Sequence, residues 1–177
     1  MPYDCLYILP TSTALGGVVV VTSNALIYVD QSSRRVALPL NGWPPRISDL
    51  AFLPADPTRH MILEGSRAVF VDDKNFFLIL EDGSVYPVEI IADGKTVSKL
   101  AISPPLAQTA VPSVIRNLGD DHIFVGSSVG LSVLLKAAHV EEEVEQGDEE
   151  MTSAVVKDDD HMDYDEDDEG SIFVLIL

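Results

Sequence analysis

From Gly17 to Lys136 the chain is written in short β-branched and aromatic runs separated by turn residues, and this punctuation limits the fold more than any other feature. Runs of that length, bounded by Gly, Pro, Asn, Asp and Ser, specify an all-β domain of many short strands. Three pairs of runs read as hairpins. The first climbs through Val18–Thr22, turns at Ser23-Asn24 and returns through Ala25–Val29. The second climbs through Phe76–Leu80, turns at Glu81-Asp82-Gly83-Ser84 and returns through Val85–Ile91. Asp-Gly is a strong hairpin signal because both residues tolerate positive φ. The third runs His122–Val125, turns through Gly126–Gly130 and returns through Leu131–Lys136.

Weaker strands are expected at Val36–Leu40, Asp49–Phe52, Met61–Glu64, Arg67–Val71, Val97–Ile102 and Ser113–Asn117, and Cys5–Ile8 reads as a strand met in mid-fold. The hairpin turns are about 59 and about 46 residues apart, near the roughly 40–50-residue period of a four-stranded propeller blade. About three blades fit in the first 140 residues, and a propeller typically closes with about 4–8. The expected fold is therefore an incomplete β-propeller, an arc of about three blades; a self-contained β-sandwich or open barrel fits the same periodicity. Pro44-Pro45, Pro54, Pro57, Pro104-Pro105 and Pro112 fall between runs, where a missing N–H breaks no ladder, whereas Pro39 and Pro87 fall inside runs and mark edges or bulges.

Charge divides the chain. The net charge is −18, yet residues 141–170 hold 16 Asp and Glu against one Lys, leaving −3 for everything else. Residues 1–140 are expected to form the partial propeller, 141–170 a disordered acidic segment that repels itself and buries too little to fold, and 171–177 an apolar end. That segment could instead mimic phosphate charge and dock on a basic partner. Neither part has a basic surplus, which disfavours direct phosphate binding, and Arg34-Arg35 is too short for a nuclear signal or a phosphate patch. One cysteine, Cys5, excludes an internal disulfide framework and the usual multi-cysteine zinc site. No apolar run approaches the ~20 residues that span a bilayer, so a soluble intracellular chain with no membrane partner is expected.

Motifs that could carry chemistry lack their counterparts. Gly126-Ser127-Ser128-Val129-Gly130 matches the nucleophile elbow, which also needs an acid and a His after the Ser. The later histidines, His139 and His161, border or lie in the acidic run, and a turn of small residues explains the same letters. Asp163-Tyr164-Asp165-Glu166-Asp167 opens like a calcium loop, but Asp168 replaces the Gly of the sharp turn and Val174 the closing bidentate Glu. No glycine-rich phosphate loop follows a strand, since Gly16-Gly17 precedes one. His60 and His122 are isolated, and Asp72-Asp73 and Asp120-Asp121 suit turns better than shared acid–base work. No catalytic, cofactor-binding or metal-binding residue is assigned, no cofactor is expected, and a non-enzymatic role follows.

Four segments nevertheless form an ordered set: Leu15 through Tyr28, Asn41-Gly42-Trp43, Leu80 through Tyr86, and Phe124 through Lys136. With Tyr28–Arg35 as its most specific part, this set resembles the large scaffold (A) subunit of the cleavage and polyadenylation specificity factor, in fungal style, over about residues 3 to 137. Members of that family are far larger proteins of three β-propellers, related in architecture to the damaged-DNA-binding scaffold and a large splicing-factor subunit. The resemblance places the chain in the first propeller. It implies a nuclear, non-enzymatic scaffold role in pre-mRNA 3′-end cleavage and polyadenylation, holding a WD40-repeat and a zinc-finger partner that read the polyadenylation signal. RNA binding would be mostly indirect, and no residue is assigned to it. A propeller interaction module serving the splicing or damaged-DNA-binding relatives is the alternative. Ser171–Leu177, an uncharged apolar heptapeptide where the family continues, reads as the result of truncation, mis-splicing or a frame change.

Overall fold

The computed structural model describes residues 4–46, 50–54 and 56–138, and the backbone of 47, 139–140 and 172–176. The acidic segment 141–170, with His161 and the Asp163–Asp167 carboxylates, lies outside the described residues.

The described chain forms three separate antiparallel sheets, each a meander in chain order. The first contains β1 (Cys5–Pro10), β2 (Val18–Thr22), β3 (Ala25–Val29) and β4 (Arg35–Pro39). The second contains β5 (Arg67–Phe70), β6 (Asn75–Ile79), β7 (Ser84–Asp93) and β8 (Thr96–Ile102), with the short β9 (Ala107–Gln108) paired to the start of β7. The third contains β10 (Val114–Gly119), β11 (His122–Gly126), β12 (Val133–Val140) and β13 (Ile172–Ile176). The three hairpins expected from sequence are the central strand pairs of these sheets.

Packing makes the sheets a stack. Every residue of β6 is buried, and alternate side chains on a strand point to opposite faces. Phe76 and Leu78 therefore join Val19, Val21, Leu26 and Tyr28 of the first sheet in one cluster, while Phe77 and Ile79 join Ile115, Ile123, Val125 and Leu135 of the third in another. A strand covered on both sides shows no polar alternation, which is why these runs read as continuous apolar stretches. Side-chain bonds tie the leading strands together: Tyr7 and Ser66 share a hydroxyl–hydroxyl bond of 3.0 Å, and Asn117 Nδ2 donates to the carbonyls of Phe70 at 2.9 Å and Val71 at 3.2 Å. Three sheets stacked face on face, with leading strands adjacent, form an arc of propeller blades. A sandwich has two sheets and a barrel one closed sheet, so both alternatives fall.

Several expectations change in detail. The described part of the expected Asp49–Phe52 strand, Leu50–Phe52, is not a strand: Phe52 makes a single parallel bridge to Ala37, and Asp49 lies outside the described residues. Met61–Glu64 is not one either, because its amides serve two different segments, Met61 N donating to Leu40 O and Leu63 N to Ser23 O. The four-residue helix α1 (Pro44–Ile47) and β9 escaped the sequence reading, being too short to carry a period. The apolar end contributes β13, whose backbone pairs antiparallel with β12 from Lys136↔Ile176 to Val140↔Ile172.

Pro39 and Pro87, expected to mark edges or bulges, sit at ladder margins, and a further in-strand proline, Pro10, closes β1 at the other edge of the first sheet. Pro39 closes β4, the edge of the first sheet. Pro87 lies inside β7, and its carbonyl accepts from Ser103 N, so its nitrogen faces the chain just past the end of β8, where the β7–β8 ladder stops.

Candidate functional site

Ser128, Asp72, Asp120 and Asp121, considered for chemistry, are built into turns of the fold. Ser128 lies in the β11–β12 turn: its hydroxyl is 2.9 Å from Ser113 Oγ, and its backbone N–H donates to the same oxygen at 3.1 Å. Ser127 Oγ accepts from Val129 N and Gly130 N, and Ser132 Oγ accepts from Ser127 N. Serine hydroxyls thus replace missing backbone partners in the six-residue connection between β11 and β12. The pentapeptide is a strand-to-strand turn, whereas a nucleophile elbow joins a strand to a helix.

The carboxylate pairs build turns. Asp72 accepts from Lys74 N, Asn75 N and Asn75 Nδ2, fixing the entry to β6. Asp120 and Asp121 both adopt positive φ, 48° and 61°, in the two-residue β10–β11 connection, a combination the type I′ hairpin requires. At Asp82-Gly83 only Gly83 is positive, at 88°; a Cβ there would collide with the Thr109 carbonyl, so glycine is needed for the close approach of β9 as well as for the turn. The Arg34-Arg35 pair is exposed, and Asp30 Oδ1 caps the turn before it by accepting from Ser32 N and Arg34 N.

A polar junction that the sequence reading missed lies between the first and second sheets. Buried Asn41 donates through Nδ2 to Asn24 Oδ1 and to Met61 O, both at 2.7 Å, while its Oδ1 accepts from Trp43 N at 3.0 Å. One amide therefore satisfies the β2–β3 turn, the chain leaving β4 and the segment that skips strand formation. The signal was present as Asn41-Gly42-Trp43-Pro44-Pro45, but its partners are far apart in sequence. Trp43 projects from this junction, 59% exposed, with Ile62 at 64%.

Burial pushes the Tyr7 phenol above its ordinary value, opposed by its bond to Ser66 and by the Arg67 charge. The Thr58 hydroxyl and amide hold the exposed Asp56 carboxyl below its ordinary value, helped by Arg59 and His60. Among the described residues no three His, Cys, Asp or Glu side chains gather as metal ligands, and no helix is long and apolar enough to cross a membrane.

What the fold offers is surface: stacked sheet faces, turns along their rims and an exposed aromatic at a sheet junction. Stacked antiparallel meanders of this kind define a propeller-type β-domain. The chain belongs to the family described as the RSE1/DDB1/CPSF1 first beta-propeller, whose model matches residues 4–159. It is 28% identical over 165 residues to Protein CFT1 of Yarrowia lipolytica, covering 90% of this chain and 13% of that protein. It is 29% identical over 135 residues to cleavage and polyadenylation specificity factor subunit 1 of Drosophila melanogaster, covering 76% and 9%. It is also 29% identical over 143 residues to Protein cft1 of Neurospora crassa, covering 76% and 10%. The chain thus spans roughly a tenth of the length of these relatives, and the resemblance seen in its motifs holds.

Proposed function

We propose that this chain is a non-enzymatic scaffold module of the mRNA 3′-end cleavage and polyadenylation machinery, working in the nucleus. It contributes to polyadenylation-signal recognition by holding WD40-repeat and zinc-finger subunits, with RNA contacted through those partners. The observation that carries this reading is the relatives' identity: the family description spans three kinds of scaffold, whereas the relatives named above are polyadenylation-factor subunits or CFT1 proteins. The chemistry of the described residues agrees, because Ser128, Asp72 and Asp120 are occupied in turns and the remaining resource is docking surface.

Removing the gene for this chain and sequencing RNA 3′ ends tests the role. Increased read-through past polyadenylation sites is expected. Normal 3′ ends with retained introns would favour the splicing relatives and overturn the assignment.

A further inference from the structure

Of the four asparagines in the chain, only Asn41 precedes a glycine. Such a dipeptide has an intramolecular reaction open to it. The main-chain nitrogen of the glycine attacks the asparagine Cγ, the Cγ–Nδ2 bond breaks, a cyclic succinimide closes and ammonia leaves. Water then opens the ring at either carbonyl, giving aspartate or an isoaspartate whose main chain is one methylene longer. Glycine favours the attack because no Cβ obstructs it. Gly42 is exposed, and even an added Cβ there would meet nothing within 4 Å.

The fold restrains the other reactant. Asn41 is only 6% exposed; its Nδ2 donates to Asn24 Oδ1 and Met61 O, and its Oδ1 accepts from Trp43 N. Three main-chain bonds frame the group: Leu40 N to Asn24 O, Met61 N to Leu40 O and Leu63 N to Ser23 O, each at 2.9 Å. Ring closure makes Cγ tetrahedral and turns Nδ2 into a leaving group, so the planar amide must first give up these partners. After reaction the junction cannot re-form as it was. An ionised carboxylate has no hydrogen to donate, and although Asn24 can turn its amide to donate instead, the Met61 carbonyl is left facing a buried charge.

We propose that Asn41-Gly42 is a latent deamidation site, closed while the junction between the first and second sheets is packed and reactive when it opens. Each reaction records an opening and hinders reclosure. The juxtaposition that carries this is a reactive dipeptide whose side-chain amide is the tie between the β2–β3 turn and the segment leading to β5. It needs no partner and is independent of the processing role, so either can fail without the other.

The full 177-residue chain is incubated in mildly alkaline buffer with and without concentrated urea. Peptide mass spectrometry follows conversion at position 41 and separates aspartate from isoaspartate. Conversion should be about tenfold or more faster in urea, because three side-chain hydrogen bonds keep the reactive geometry sparsely populated in the fold. Asn24→Ala, which removes one acceptor, should speed conversion several-fold in buffer and leave the rate in urea unchanged. Gly42→Ala, whose Cβ has free space and whose φ is not positive, should keep the melting curve and slow conversion in urea several-fold. Asn41→Asp, which copies the product, should speed hydrogen exchange at the Met61 and Leu63 amides. The comparison of buffer with urea needs no variant, so it decides the matter if Asn24→Ala unfolds. Equal rates in buffer and urea overturn the proposal. So does a folded Asn24→Ala chain that converts no faster in buffer, or an Asn41→Asp chain whose Met61 and Leu63 amides exchange at the original rate.

Discussion

If β6 and β7 serve two interfaces at once, one chemical change made on opposite sides of the second sheet must be felt in different neighbours. Ile79 and Ile90 lie on adjacent strands of that sheet and both are fully buried, but Ile79 packs with the third sheet and Ile90 with the first. Ile→Val removes one methylene, which costs about 0.5–1.5 kcal/mol at a buried site. Expressed as local opening, that is about a two- to twelve-fold rise in amide exchange in the element that loses the contact. Native-state hydrogen exchange on the amides of β3 and β11 reads the difference. Ile79→Val should accelerate β11 and leave β3 close to its original rate; Ile90→Val should do the reverse. Equal acceleration of both sheets by either variant, or the opposite pattern, would refute the stacked arrangement.

Other outcomes follow from single residues. Gly83→Ala meets both positive φ and the Thr109 carbonyl, so it should lower the urea midpoint clearly more than Gly94→Ala, whose Cβ meets open space and whose cost is about 1 kcal/mol from backbone conformation. Tyr7→Phe strands the buried Ser66 hydroxyl between the first two sheets, a loss of about 1–3 kcal/mol in denaturant melts. Burial raises the Tyr7 pKa in the fold, so above the ordinary 10.0 the unfolded chain binds fewer protons and stability falls as pH rises toward the folded value. Tyr7→Phe should flatten that alkaline decline, and an unchanged slope would count against a buried phenol. An active-site-directed serine probe should leave Ser128 unlabelled, and labelling abolished by Ser128→Ala would reopen hydrolase chemistry.

The hairpins were readable because each depends on neighbours in sequence. Thr22 closes its turn by donating to Ala25 O through its own hydroxyl, and Gly83 supplies the one left-handed residue its turn needs. Blade spacing was readable for the same reason, since each sheet is a meander. The failures were non-local. Met61–Glu64 has strand-like residues, but its amides are claimed by Leu40 and Ser23, and β9 exists only because the start of β7 is there to pair with it. Which face of β6 meets which sheet was unreadable, because Phe76-Phe77-Leu78-Ile79 is apolar in both phases. Asn41 was visible as a motif, but its partners Asn24 and Met61 are set only once the sheets stack. For the site, adjacency in sequence correctly assigned Asp72 and Asp120 to turns.

Purifying a tagged copy of the chain from its own cells and quantifying the bound proteins decides whether it is a polyadenylation scaffold. Stoichiometric recovery of the WD40-repeat and zinc-finger subunits of the polyadenylation factor is the predicted result. Recovery of splicing or ubiquitin-ligase subunits in their place, with those two absent, would contradict it.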